Sequence, residues 1–120
     1  MDLSQRIRTY QHRGATILLH DLSELSGADA LVAVRHAASL IDQRGSGLNI
    51  LTNVTGTEAS KEAVEALRAL GARATPFVRK SAIVGATGLK LALVKAVRIV
   101  FRRPIQTFDS VQDAQDWLAE

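Results

Sequence analysis

Cysteine is absent from this sequence. Its absence excludes disulfide staples, a thiol nucleophile and a thiolate metal site, and it fits a reducing compartment. Proline occurs only at positions 76 and 104, and neither a linker nor a low-complexity run is visible. Aromatic residues make up 4% of the chain. Beside the cationic stretch they are Phe77 and Phe101, too few for a base-stacking platform, so nucleic acid is disfavoured as a partner. No apolar run reaches membrane-spanning length, because the longest, Leu89 to Phe101, is broken by Lys90, Lys95 and Arg98. The opening Met-Asp-Leu-Ser-Gln-Arg lacks the apolar core of a secretory signal. One sign of charge is also missing locally. Residues 66–104 hold no Asp or Glu, yet carry Arg68, Arg73, Arg79, Lys80, Lys90, Lys95, Arg98, Arg102 and Arg103. Such asymmetry predicts a positive face toward something anionic, unless the final acidic helix folds back and neutralises it.

What is present suits one soluble cytoplasmic domain. The 120 residues are 47% apolar and 22% charged, enough to build a core and too apolar for disorder. Ala15 to His20 reads as a strand, with an earlier edge strand at Ile7 to Gln11 joined across His12-Arg13-Gly14. A helix follows from Ser26 or Gly27 to Gln43, its inward face Leu31, Val34, Ala38 and Ile41. Leu48 to Val54 is the next strand. Thr57 is expected to cap a helix that Gly71 stops after Leu70, with Ala63, Leu67 and Leu70 inward. Pro76 should hold Thr75 extended. Lys80 to Gly85 is a strand, Thr87 to Phe101 a helix, and Ile105 to Phe108 a strand. Ser110 with Asp113 resembles a capping box before a last helix striped by Val111, Ala114, Trp117 and Leu118. Strands alternating with helices predict an α/β fold, a mostly parallel four- or five-stranded sheet with about four helices.

Chemistry-bearing patterns are few. His12, His20 and His36 are not spaced as metal ligands. His20-Asp21 joins a base to a carboxylate, but strand neighbours point to opposite faces and do not meet. Gly85-Ala86-Thr87-Gly88 lies between a strand and a helix, where backbone amides, the Thr87 hydroxyl and Lys90 can receive an anion. Alternatively, Gly85 and Gly88 serve close packing and Thr87 is an N-cap. The dinucleotide fingerprint would need a third glycine and a downstream acid. The Asn53-Val54-Thr55-Gly56-Thr57 turn falls at the sheet's carboxyl end, where ligands and modifications gather in open α/β sheets.

The helix over residues 87–103 has the strongest pattern. A wheel puts Leu89, Ala92, Leu93, Ala96, Val97, Ile99 and Val100 on the core side, with Lys90, Lys95, Arg98 and Arg102 opposite. Leu91, Val94 and Phe101 then sit among the cations. Apolar groups between cations predict a protein interface, an anionic lipid surface, or an apolar ligand groove beneath the helix.

The segment Ser81-Ala82-Ile83-Val84-Gly85-Ala86-Thr87-Gly88-Leu89-Lys90, the later Phe108-Asp109-Ser110 and Trp117-Leu118, and the Leu51-to-Gly56 turn carry a resemblance. From about Gly14 to Leu118 the chain resembles a bacterial family of small STAS-like proteins, similar in fold to the anti-sigma-factor antagonists and more distantly to CRAL-TRIO lipid-binding domains. The resemblance implies a STAS-like fold, in a family whose function is largely unknown. Antagonists of that kind are switched by a phosphorylated serine in an Asp-Ser-x-Gly-like motif. Here Asn53 stands for the aspartate and no serine is present, which leaves Thr55 and Thr57 as hydroxyls for modification.

The expected function is therefore a non-catalytic binding module without cofactor or metal. Association with itself, as a dimer, or with a protein partner would use Leu91, Val94, Lys95, Arg98, Phe101 and Arg102. The alternative is a lipid or another apolar or anionic small molecule held under the same helix.

Overall fold

Strand β1 (Ile7–His12) turns back on β2 (Ala15–Asp21) as an antiparallel hairpin. Its two-residue turn, Arg13 at φ 50° and Gly14 at φ 84°, has both central residues left-handed, as this hairpin class requires. The computed structural model describes residues 2–44, 46–100 and 103–120. Among these, the side chains of Arg44, Leu89, Leu93, Ala96, Val97, Ile99 and Val100 are outside the description. From β2 the chain passes through α2 (Gly27–Arg44), β3 (Leu48–Asn53), α3 (Lys61–Ala74), β4 (Val78–Val84), α4 (Leu89–Val100), β5 (Ile105–Phe108) and α5 (Val111–Leu118). A four-residue α1 (Leu3–Arg6), unanticipated in the sequence, precedes β1 and is capped by Asp2. The sheet is five-stranded in the order β1-β2-β3-β4-β5, parallel from β2 onward.

Because each parallel connection steps to the next strand in one direction, crossovers of one hand all fall on one face. Leu18, Ile50 and Val78 pack there with Ala33, Val34 and Ile41 of α2 and Ala63 and Leu70 of α3. The other face is covered by α5, whose Ala114 and Leu118 meet Ile17, Leu51 and Ala82. Alternation along each strand divides the side chains between these two layers.

Several boundaries differ from the sequence reading. Helix α3 is capped by Ser60, whose hydroxyl accepts from Ala63 N, not by Thr57. Thr57 is buried and donates its hydroxyl to the Leu22 carbonyl at 2.6 Å. The helix runs through Gly71 to Ala74, and Thr75 is helical at φ −48° and ψ −43°, not extended. The preference imposed by Pro76 is overcome by hydrogen bonds. Thr75 Oγ1 donates to the Gly71 carbonyl, and Arg103 binds both groups. Strand β4 begins at Val78, before Lys80, and α4 at Leu89, after Thr87.

The buried stripe of α2 is Ala30, Ala33, Val34, Ala37 and Ile41, with the expected Leu31 and Ala38 only half-buried. On α5, Val111 is exposed and Trp117 half-buried against Phe108. On α4 the wheel is corrected: Val94 is buried and Ala92 is exposed. A helix apolar nearly all round gives no unique inner face, so periodicity could not select the rotation. The expected inward Leu89, Leu93, Ala96, Val97, Ile99 and Val100, and the outward Phe101 and Arg102, lie outside the described side chains.

Candidate functional site

The inner layer between the sheet and helices α2, α3 and α4 holds a partly open cavity of about 170 Å³. Its floor follows from register. His20 on β2 pairs with Thr52 on β3, which pairs with Ile83 on β4, so one row crosses the sheet on this face. The row below is Leu18, Ile50, Ser81 and Ile105. Ala30 and Val34 of α2, Ala63 and Leu67 of α3, and Val94 of α4 form the walls. Glu58, Arg68, Lys90 and Arg103 are the charged residues of the lining.

Polar groups in this layer are mostly engaged. Lys90 Nζ donates to the Val54 carbonyl at 3.0 Å. Arg103 Nε donates to Ser81 Oγ at 3.0 Å, and Nη1 donates to the Gly71 carbonyl and Thr75 Oγ1, each at 2.9 Å. Burial pushes the Arg103 guanidinium below its ordinary pKa. His20 differs. Its side chain is 2% exposed, and Nε2 makes no hydrogen bond among the described residues. Burial pulls its pKa down to about 4, against a smaller upward pull from the Asp21 charge, so the ring is neutral at pH 7. Asp21 itself turns to Ser23, accepting from its N and Oγ. The two neighbours form no dyad, as strand alternation requires.

The other sequence candidates are dispersed. Gly85 has φ +81°, and a Cβ there would overlap Thr55, so it lets the β3–α3 and β4–α4 turns touch. Its amide donates to the Phe108 carbonyl. Thr87 and Gly88 are exposed, while Lys90 is held on Val54 and faces the cavity. Thr55 is exposed, and Asn53 Oδ1 accepts from both its N and Oγ1. Thr57 is the correction among the modification candidates, because its hydroxyl is buried and committed to Leu22. Val94 joins the cavity wall; Lys95 and Arg98 are exposed, and Leu91 is half-buried. Phe101 and Arg102 lie outside the described residues.

Much of the expected positive face is structural. Arg79 and Lys80 donate to carbonyls at the end of α5, on Leu118, Trp117 and Glu120, where the helix dipole favours cations. Lys80 also lies over the Trp117 ring at 4.7 Å. Arg73 pairs with Asp42 across α3 and α2. Thus α5 answers the cations chiefly with its carbonyl end. The carboxylate of Asp116 instead meets His12 at 2.8 Å and Arg13 at 3.6 Å.

The sequence alone did not assign His20, Thr52, Ser81 and Arg103 to one place. One signal was available: polar residues at inward positions of otherwise apolar strands. The convergence of Arg103 on the end of α3 carries no such signal.

The sequence model of the SpoIIAA-like family matches residues 3–119. The chain belongs to the SpoIIAA-like family. A solved SpoIIAA-like structure shares its architecture: an uncharacterized DUF3478-family protein from Shewanella loihica PV-4, at TM-score 0.72 and 18% identity over 93% of this chain and 91% of that one. At that identity the likeness concerns the fold. No functionally curated protein matches the chain. The STAS-like resemblance and the α/β fold with its mostly parallel sheet therefore hold for this SpoIIAA-like chain. Among its described residues, no helix is long and apolar enough to cross a membrane. No cluster of three or more metal-ligating side chains occurs among them either.

Proposed function

We propose that this protein is a non-catalytic SpoIIAA-like binding module whose ligand is a small, largely apolar molecule held beneath α4. The observation that carries this reading is the cavity of about 170 Å³, walled largely by aliphatic side chains and lined in part by His20, whose buried Nε2 has no partner among the described residues. Natural interiors close such space, and buried polar atoms find partners. An opening of this kind between layers fits occupancy better than packing. Native mass spectrometry of the protein purified from cells tests it. A bound small mass is expected in the wild type and should vanish in Ala63→Leu, where the added side chain enters the cavity. An unliganded wild type that also gains no thermal stability from small neutral ring compounds would remove the reading.

A second reading is favoured by one observation. Lys95 and Arg98 are exposed on α4, on one stripe with the half-buried Leu91. That stripe suits an acidic partner protein or a second copy. Leu91→Asp should then reduce association in sedimentation while leaving the circular dichroism spectrum unchanged; unaltered sedimentation would exclude it.

A further inference from the structure

We propose that the cavity takes an uncharged, ring-sized molecule bearing one hydroxyl, and that His20 Nε2 is the atom that hydrogen-bonds this hydroxyl. The inference rests on the cavity being the binding site and adds what the ligand must be.

Size is the first constraint. A volume of about 170 Å³ is close to the roughly 150 Å³ of an engineered apolar cavity that accepts benzene. One six-membered ring with a small substituent fills that volume.

Polarity is the second. Ser81 accepts from Arg103, Thr57 donates to Leu22, and Lys90 donates to Val54. His20 Nε2 is the buried side-chain atom left without a partner among the described residues. As the tip of the imidazole, it projects from β2 into the layer that the cavity occupies. Isolation of a polar atom in an apolar layer is unfavourable, so a ligand that completes its hydrogen bond gains more here than it would in water.

Charge is the third. The ring is neutral at pH 7, with one N–H and one lone pair. A hydroxyl both donates and accepts, so it suits either tautomer. Glu58 is the one carboxylate of the lining and is exposed, so a cation gains little inside. Lys90 and Arg103 carry the lining's inner positive charge, and both already hydrogen-bond protein oxygens. A neutral hydroxyl compound asks least of these contacts.

Phenol and toluene separate the possibilities, because they differ by a hydroxyl in place of a methyl. A dry apolar cavity prefers toluene, since phenol would surrender its water hydrogen bond without replacement. Binding of each to the full-length wild type, read by NMR titration, should show phenol at least as tight as toluene. The His20 Nε2 resonance should move with phenol and stay with toluene. In His20→Leu the preference should shift at least ten-fold toward toluene, and His20→Gln, whose amide reaches a similar point, should restore part of it. Toluene as the tighter ligand of the wild type, or an unchanged ratio in His20→Leu, would overturn the assignment of His20 while leaving the cavity reading intact. Binding of neither compound to the wild type would overturn both. If His20→Leu does not fold, the wild-type ratio and the Nε2 resonance decide.

Discussion

At the scale of single residues, burial of His20 links acidity to folding. An unfolded histidine titrates near 6.5, and in the folded chain burial lowers this to about 4. Between those values the unfolded chain binds the extra proton and the folded chain does not. Stability is therefore full above pH 6.5 and falls as the pH drops toward 4. The loss amounts to about 3 kcal/mol over that window, at 1.36 kcal/mol per pK unit. Urea unfolding at pH 7 and pH 4.5 should show it. His20→Leu should flatten the difference and cost little at pH 7, since an apolar side chain leaves no polar atom stranded.

Gly85 makes a second prediction at this scale. Its φ of +81° and contact with Thr55 leave no room for a Cβ. Gly85→Ala should cost at least about 1–2 kcal/mol, seen as a lower urea midpoint. The role of Gly85 in close packing was one of two readings open in the sequence, because the strand–glycine–helix pattern is common to anion sites and tight turns. The sequence reading placed His20 on a strand and separated it from Asp21, but its burial without a partner depends on side chains far along the chain.

At the scale of elements, capping separates what local sequence encodes from what it does not. Ser110 caps α5, accepting from Asp113 N at 3.2 Å, as its spacing to Asp113 predicts. In α3 the cap moved from Thr57 to Ser60 because Leu22, from a distant loop, takes the Thr57 hydroxyl. Ser60→Ala should lower stability by about 1 kcal/mol with some loss of helical circular dichroism. Thr57→Val should cost a similar amount by removing the buried hydroxyl's bond to the Leu22 carbonyl, which then keeps only the Leu25 amide at 3.2 Å, with no such helical loss. The strands, the hairpin and the last helix were readable because alternation and turn chemistry are local. The rotation of α4 was not, because apolar residues on nearly every side leave Lys90 and Val94 to be turned inward by their contacts.

At the scale of the whole molecule, the two layers are unequal. α2, α3 and α4 roof one face and α5 the other, and the cavity lies in the more crowded layer. Ala63→Leu should raise the melting temperature or leave it unchanged, with a gain of up to about 2 kcal/mol from added apolar burial. It should also abolish toluene binding. A lowered melting temperature would mean that the cavity cannot admit the side chain.

Strand order equal to chain order has a last consequence. Where an α/β sheet is wound outward both ways from its middle, two loops part at the reversal and leave a vestibule at the rim for cofactors. Here the winding never reverses, so no such vestibule forms. A guest in the cavity described above would lodge between floor and roof, where capacity is set by how far the helices stand off the sheet.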